Sequence, residues 1–289
     1  MGVLLDLAKL QASIDAVDRA NQTIFQDWQL ISQALAPMVI ENGLRVVGIS
    51  GSQGSGKSTL AQYLVEEIVA LGVEAVAVSL DDFYLTKQQR RELGETVHPL
   101  LQTRGVPGTH DTQLLRRCLD SITAAPVDVA NKSPVEFTLP SFDKGLDDRA
   151  GFARVQASVL IIEGWCVGVE AQPESLLERA INSLEKVEDS SLSWRRWVNQ
   201  QIHQHYSPLW SYVDYWVQLR APSFEQVHQW RGQQETRLPE LQRMSRAQLT
   251  RFIEHYERLT RWQWQSADLQ PGLKVALADN HSVRSVAVS

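Results

Sequence analysis

The chain has 289 residues, of which 43% are hydrophobic and 21% charged, a composition typical of globular proteins. Its formal net charge of −6 argues against a nucleic-acid partner, because no basic excess is available to neutralise a phosphate backbone. No window approaches about 18 uninterrupted apolar residues, so neither a membrane span nor a membrane partner is expected. The start of the chain lacks the layout of a signal peptide, and its two cysteines, Cys118 and Cys166, lie far apart. Both features predict a cytoplasmic protein.

The first third of the chain predicts helices followed by a strand–helix–strand unit. Residues 1–42 mix polar and apolar residues in a helical pattern and are expected to form an N-terminal segment packed on the main fold. Residues 45–49 form a short apolar run typical of a buried strand. A helix follows, with an apolar face repeating every four residues until Gly72, and a second apolar strand spans 73–80. Such units build parallel sheets with helices on both faces.

The remaining chain continues the alternation of helices and strands. An irregular segment at 86–110 is followed by a helix at 112–122, a loop-rich segment with a small side sheet at 126–151 and a strand at 155–162. Two helices are predicted within 173–205, and a strand follows at 212–219. The last elements are a polar helix at 223–237 interrupted by Gly232, a helix from Ser245 and a last strand at 273–277. Ser245 and Gln248 fit a capping box at the start of the long helix.

A phosphate-binding loop lies between the first predicted strand and its helix. The sequence Gly51-Ser52-Gln53-Gly54-Ser55-Gly56-Lys57-Ser58 satisfies the pattern G-x-x-x-x-G-K-[ST], and Thr59 follows it. Glycines let backbone N–H groups converge on phosphate oxygens, and the helix presents its N-terminus to the anion. We expect residues 51–59 to bind ATP, Lys57 to reach the β- and γ-phosphates, and Ser58 to ligate Mg²⁺. The predicted fold class is therefore a three-layer α/β P-loop fold with a mostly parallel sheet.

Carboxylates end two of the predicted strands. Asp81 and Asp82 close the strand at 73–80, and Glu163 follows four apolar residues. Ligands of open parallel sheets bind at the carboxyl ends of strands. One of the two aspartates is expected to act as a general base towards an acceptor hydroxyl, although both could simply cap the following turn. Glu163 is expected to help anchor Mg²⁺, directly or through water.

Five motifs together resemble the D-glycerate 3-kinases of the plant and fungal type. They are residues 51–58, Asp81-Asp82-Phe83-Tyr84-Leu85-Thr86, Arg104-Gly105-x-Pro107-Gly108-Thr109-His110-Asp111, Pro140-Ser141-Phe142-Asp143-Lys144 and Ile162-Glu163-Gly164-Trp165. That group is similar, more distantly, to phosphoribulokinase, uridine kinase and bacterial pantothenate kinase. The resemblance runs from about residue 45 to the C-terminus and implies a kinase that converts D-glycerate to 3-phosphoglycerate.

The resemblance assigns roles to individual residues. The base of the wider superfamily matches Asp81, which would also lie at the metal, and the acid that handles Mg²⁺ matches Glu163. The acceptor-site candidates that it implies are Asp82, Tyr84, Arg104, His110, Asp111, Asp143 and Lys144. For His110 and Asp111, a helix N-terminus capped by Asp111 or Thr112 is an equally good and compatible interpretation. Lys144 or Arg149 could pair with an acceptor carboxylate. The alternative for both is a solvated cation on the surface.

Related kinases close a lid whose arginines reach the transferring phosphate. The corresponding segment here is 222–240, which contains Arg231 and Arg237. Six residues apart on a continuous helix, the two would face different sides, so both converge only if the segment bends, for instance at Gly232. Arg231 is the preferred catalytic candidate. The predicted kinase domain thus covers 43–289, with acceptor-site insertions at 86–151 and the lid at 222–240.

Three functional hypotheses follow. The first is a glycerate kinase, and the second is a kinase for another small hydroxylated metabolite, such as a nucleoside, pantothenate or a sugar phosphate. The third is a non-catalytic, nucleotide-dependent regulator, for which the sequence shows no water-positioning residue. The oligomeric state and the role of 1–42 are left open by the sequence.

Overall fold

The computed structural model describes residues 4–17, 25–124, 134–236, 239–240, 243–266 and 269–289. The helices are α1 (Leu7–Asp15), α2 (Phe25–Glu41), α3 (Lys57–Ala70), α4 (Lys87–Thr96), α5 (Thr112–Ala124), α6 (Ser183–Glu188), α7 (Ser193–Gln201), α8 (Ser207–Trp210), α9 (Phe224–Thr236) and α10 (Arg246–Ser266). The strands are β1 (Val46–Gly51), β2 (Ala75–Ser79), β3 (Val135–Asp143), β4 (Asp148–Ala157), β5 (Val159–Gly164), β6 (Tyr215–Arg220), β7 (Gly272–Leu277) and β8 (Val283–Val288).

Six strands form the central sheet in the order β2-β5-β1-β6-β7-β8. The first five are parallel, and β8 joins the edge antiparallel to β7. The pairing of β1 with β5 sets Ser50 opposite Gly164, which brings the segment after β1 beside the end of β5. The predicted α/β fold with a mostly parallel sheet is thereby confirmed.

The two faces of the sheet carry separate cores because successive side chains point to opposite sides. On β1, Val46 packs into one core, while Val47 and Ile49 pack into the other. The first core contains residues of α5, α7, α8 and α10, and the second contains residues of α1, α2, α3 and α9. Helices therefore cover both faces, as the three-layer prediction requires. The N-terminal helices share their core with the phosphate-loop helix, with Trp28 fully buried.

The strand predicted at 155–162 is wrong in its extent, because it is two strands in two sheets. β4 pairs with β3 in a two-stranded antiparallel hairpin, and β5 lies in the central sheet. The change occurs at Ser158, whose backbone N–H donates to the carbonyl of Glu74 at 2.7 Å. Polar Gln156 and Ser158 interrupt the apolar residues here, but without a turn residue such as Gly or Pro, so the sequence pattern was interpreted as one strand. The side sheet expected within 126–151 is this β3–β4 hairpin.

Two elements were missed and one predicted break does not occur. Residues 86–110, predicted to be irregular, contain α4, which begins with a capping box between Thr86 and Gln89. The helix α9 runs through Gly232 without interruption. The edge strand β8 was not predicted. The capping box predicted at Ser245 and Gln248 is confirmed, since each side chain accepts from the backbone N–H of the other residue.

None of the helices in the described ranges is both long and apolar enough to cross a membrane.

Candidate active site

The phosphate loop connects β1 to α3 in the predicted strand–turn–helix arrangement. Gly54 and Gly56 have φ values of 77° and 93°, a left-handed region that favours glycine. A Cβ on Gly56 would lie 2.9 Å from the Trp28 ring, and one on Gly54 would lie 2.8 Å from Trp230. No described side chain caps the N-terminus of α3, so its end can face an anion. The residues predicted to bind ATP, 51–59, all lie in this one turn and its flanking ends.

Lys57 is buried at the start of α3, and its Nζ donates to the carbonyl of Ser52 at 2.9 Å. Burial lowers its pKa, while the nearby carboxylates of Glu163 and Asp81 oppose that shift. The lysine thus lies in a confined and largely desolvated space, where the interaction of its ammonium group with a phosphate is strong, and the two carboxylates favour its charged form.

The predicted magnesium ligands Ser58 and Glu163 contact each other. The hydroxyl of Ser58 donates to Glu163 Oε1 at 2.7 Å, and Glu163 is 6% exposed. A hydroxyl and a carboxylate in contact are hard oxygen donors of the kind that Mg²⁺ prefers. Within the described ranges there is no group of three or more His, Cys, Asp or Glu side chains placed to hold a metal. This donor set therefore fits an ion that keeps waters and substrate phosphates as its other ligands.

A cleft of about 970 Å³ opens at the carboxyl ends of the parallel strands, beside the phosphate loop. The predicted site residues that line it are Gln53, Gly54, Lys57, Ser58, Asp81, Tyr84, Arg104, Lys144, Glu163 and Arg231. Residues lining it that the site prediction missed include Trp165, Glu235, Phe252 and Tyr256. The cleft is large enough for both a nucleotide and a small acceptor.

The two adjacent aspartates have different surroundings. Asp81 faces the cleft, where its Oδ1 accepts from the Tyr84 hydroxyl at 3.0 Å and its Oδ2 lies 2.7 Å from Lys144 Nζ. Burial alone raises the pKa of Asp81, but the charge and hydrogen bond of Lys144 outweigh it and the pKa lies below its usual range. Asp82 instead accepts from the backbone N–H groups of Ser79 and Phe142, at 3.3 and 3.4 Å. The turn-capping interpretation thus describes Asp82, which is absent from the cleft lining.

The β3–β4 hairpin carries Lys144 over the cleft. Asp143, an acceptor-site candidate, accepts from the backbone N–H groups of Gly145 and Leu146 at 2.7 and 3.0 Å, so it shapes the hairpin turn. Arg104 forms an ion pair with Asp147 in that turn and donates to the carbonyl of Lys144 at 3.3 Å. Two cations of the acceptor half, Arg104 and Lys144, are therefore held on one wall of the cleft.

His110 and Asp111 support the cleft wall from behind. His110 is 4% exposed and stacks on Tyr84, with ring centroids 4.4 Å apart. Its Nδ1 lies 2.7 Å from the Tyr206 hydroxyl, and burial lowers its pKa to about 4. Asp111 caps α5 by accepting from the backbone N–H of Leu114 at 2.9 Å. Neither residue lines the cleft. The hydrogen bond from Leu114 supports the alternative interpretation of Asp111 as a helix cap.

Arg149, the alternative partner for an acceptor carboxylate, lies outside the cleft lining as well. Its Nη2 donates to the carbonyl of Tyr84 at 3.1 Å and lies 3.5 Å from Asp111 Oδ2. These contacts tie the hairpin to the loop that carries Tyr84.

Arg231 reaches the cleft from α9. It forms an ion pair with Glu235 at 2.5 Å and lies over the Phe252 ring, 5.3 Å from the ring centroid. Glu235 in turn accepts from the backbone N–H of Met244 at 2.9 Å. Arg237, the other arginine considered for the lid, lies outside the described residues.

An aromatic wall completes the cleft on the side of α10. Trp165 and Tyr256 pack edge to face with centroids 4.8 Å apart, and Trp165 Nε1 donates to the carbonyl of Gly105 at 3.1 Å. Tyr256 belongs to the apolar stripe of α10, and a helical stripe is usually read as core. Trp165 could have been predicted as a site residue, because it comes directly after Glu163 and Gly164 at the end of a strand.

Comparisons with known proteins identify relatives of this chain, although no family model matches it. The uncharacterized kinase mug58 of Schizosaccharomyces pombe is 34% identical over 227 residues, which cover 73% of this chain and 78% of mug58. The chloroplastic D-glycerate 3-kinase of Arabidopsis thaliana is 28% identical over 201 residues, which cover 66% of this chain and 41% of the plant protein.

A solved structure extends the likeness to the whole fold. The D-glycerate 3-kinase from Cryptococcus neoformans superposes with a TM-score of 0.69 at 26% identity, covering 93% of this chain and 100% of the fungal one. These relatives are all kinases, and this chain carries a complete phosphate loop beside an aspartate in a shared cleft. The chain therefore belongs to the family of P-loop kinases that includes mug58 and the D-glycerate 3-kinases, and it is an ATP-dependent phosphotransferase.

Proposed function

We propose that this kinase transfers the γ-phosphoryl group of ATP to a hydroxyl of D-glycerate and produces 3-phosphoglycerate. The observation that carries the proposal is the position of Asp81 in the cleft. It lines the same cleft as the phosphate loop and the cations Lys144 and Arg104, and it forms an ion pair with Lys144. D-Glycerate offers what this arrangement requires, a hydroxyl for the base and a carboxylate for the cations. Two relatives of this chain bear the name D-glycerate 3-kinase.

In the proposed mechanism, Lys57 and the backbone N–H groups of residues 51–58 hold the β- and γ-phosphates. Mg²⁺ would be held by Ser58 and Glu163, and when bound it would neutralise charge on the transferring phosphates. Asp81, whose pKa lies below its usual range, is ionised at neutral pH and accepts the proton of the acceptor hydroxyl. Most of the rate acceleration is expected from positioning and charge neutralisation, because the transition state of phosphoryl transfer is loose.

The proposed lid is α9, which covers the phosphate loop at Gly54 through Trp230. Arg231 would leave Glu235 and approach the transferring phosphate when ATP fills the cleft. The proposed location of the reaction is the cytoplasm, supported by the two buried free cysteines Cys118 and Cys166.

A coupled assay of ADP formation with Mg²⁺ and a panel of acceptors tests the proposal. The panel contains D-glycerate, L-glycerate, glycerol, pantothenate and uridine, and ³¹P NMR identifies the hydroxyl that is phosphorylated. Acceleration by D-glycerate with 3-phosphoglycerate as product supports the proposal. A response only to another acceptor would favour the second hypothesis, a kinase for a different metabolite. No response to any acceptor, with ATP bound, would favour a nucleotide-dependent regulator.

A further inference from the structure

Both oxygens of the proposed catalytic base have a hydrogen-bond partner before any acceptor binds. One carboxylate oxygen of Asp81, Oδ1, accepts from the Tyr84 hydroxyl at 3.0 Å. The other, Oδ2, accepts from Lys144 Nζ at 2.7 Å. Each oxygen could accept a second hydrogen bond, but an acceptor hydroxyl that donates its hydrogen to Asp81 competes with the partner already bound there. Tyr84 is held by the stack on His110 and is 2% exposed, so Lys144 is the partner that can leave.

The backbone of Lys144 is fixed while its side chain is not. The turn is tied by the hydrogen bonds of Asp143 and by the ion pairs of Asp147 with Arg90 and Arg104. The carbonyl of Lys144 itself accepts from Arg104 at 3.3 Å. In contrast, the Lys144 side chain is 61% exposed and carries its ammonium on a flexible four-carbon stem. The ammonium can swing away from Asp81 without any movement of the hairpin.

From this geometry we infer that Lys144 determines specificity, because it releases the base to acceptors that carry their own anion. A carboxylate next to the reacting hydroxyl takes over the ammonium, so the charge of Lys144 stays paired when it leaves Asp81. A neutral alcohol or a water molecule that displaces Lys144 from Asp81 offers the ammonium no replacement anion, which costs free energy at the step where the base is needed. This inference rests on the proposed function for the role of Asp81 as the base and for the identity of the acceptor acid.

The chemical step that follows the exchange is balanced within the cleft. The acceptor oxygen forms a bond to the γ-phosphorus, and the bond from that phosphorus to the β–γ bridging oxygen breaks. The proton of the acceptor hydroxyl moves to Asp81 Oδ2, and ADP is the leaving group. Lys144 takes no part in bond making. It affects the reaction by competing with the acceptor hydroxyl for Asp81 Oδ2.

The test compares Lys144→Met with wild type, with Lys144→Arg as the conservative variant and Lys87→Met as the matched control. Lys87 is an exposed lysine at the start of α4 and is absent from the cleft lining. For each protein, kcat/KM is measured with D-glycerate and with glycerol, which lacks the carboxylate, together with ATP hydrolysis in the absence of acceptor. We expect Lys144→Met to lower the glycerate-to-glycerol ratio by about tenfold or more and to raise acceptor-free hydrolysis. Lys144→Arg should retain much of the discrimination, and Lys87→Met should match wild type.

An unchanged glycerate-to-glycerol ratio in Lys144→Met, with both activities reduced alike, would overturn the inference and leave Lys144 a structural role. Lys144→Gln provides a second variant if Lys144→Met does not fold. Failure of the proposed function looks different. If wild type ignores glycerate but phosphorylates another hydroxy acid, the same variants are compared on that acid and its alcohol analogue, and a reduced ratio still supports the inference. A wild-type preference for a neutral acceptor would refute it.

Discussion

The buried imidazole of His110 should make the stability of this kinase sensitive to mild acid. Its ring is 4% exposed and stacked on Tyr84. The Tyr206 oxygen already accepts from the backbone N–H of Gly108 at 2.8 Å, so its hydroxyl hydrogen is available to His110 Nδ1, 2.7 Å away. Nδ1 is then an acceptor, and the neutral ring carries its hydrogen on Nε2. A second proton on Nδ1 would make it a donor, so the Tyr206 hydroxyl could no longer donate to it and a positive charge would lie in a buried site.

The size of the effect follows from the two pKa values. Burial lowers the pKa of His110 to about 4, from 6.5 for an unperturbed imidazole. The unfolded chain therefore binds the proton first as the pH falls, so the folded state loses stability between about pH 6.5 and pH 4. Between pH 7.5 and pH 5, this linkage costs about 2 kcal/mol of unfolding free energy. Above pH 7.5 the contribution is fully present.

The assay is urea unfolding of wild type and His110→Gln at pH 7.5 and pH 5, followed by tryptophan fluorescence and far-UV circular dichroism. At pH 7.5 the variant should be less stable, since it loses the stack on Tyr84 and the imidazole acceptor of the Tyr206 hydroxyl. At pH 5 the gap between the two proteins should narrow by about 2 kcal/mol. His203→Gln removes an exposed imidazole and serves as the control. A gap of equal size at both pH values would refute the assignment of a buried, neutral His110.

Three further variants test the site. Lys57→Ala should lower kcat/KM at least about 1,000-fold, equivalent to ~4 kcal/mol of transition-state stabilisation, in the coupled assay, and retention of near-wild-type turnover would contradict its phosphate role. Asp81→Asn should lower kcat about 100-fold while the Kd for ATP, measured by calorimetry, changes little; an unaltered kcat would remove Asp81 from the mechanism. Gly105→Ala should lower the thermal midpoint and raise KM for the acceptor, because φ at Gly105 is 145° and the added Cβ would lie 2.5 Å from the Tyr256 hydroxyl. A thermal midpoint equal to that of wild type would show that the loop relaxes without cost.

Sequence patterns were informative wherever the chemistry is local. The phosphate loop could be placed because glycines, a lysine and a serine at fixed spacing are needed within one turn, and the flanking strand and helix have clear periodicities. The capping box at Ser245 and Gln248 is equally local. The helix α4 was missed because it has no apolar stripe. It is stabilised by the Thr86–Gln89 capping box and by buried Arg90, which donates to three backbone carbonyls.

The acceptor half of the cleft could not be predicted from sequence patterns, because it is formed by contacts between residues that are distant in the chain. Lys144 and Asp81 are 63 residues apart in sequence, and their ion pair exists because the β3–β4 hairpin folds over the end of β2. Similarly, Tyr256 meets Trp165 only where α10 packs against the end of β5.

By itself, the sequence determined that this chain has a parallel α/β sheet and a phosphate loop at residues 51–58, because both depend on the spacing of residues that are close together in the chain. Residue spacing left open which of the two adjacent aspartates addresses the substrate, and the family resemblance pointed to Asp81, which the tertiary structure places in the cleft lining. Only the tertiary structure decided which of the neighbouring polar residues support the cleft wall instead of lining it. The physical reason is that the direction of a side chain at a strand end depends on its hydrogen bonds with elements that are distant in sequence but adjacent in the fold. Here the backbone N–H of Phe142 helps to hold Asp82 in its turn while Lys144 pairs with Asp81 in the cleft.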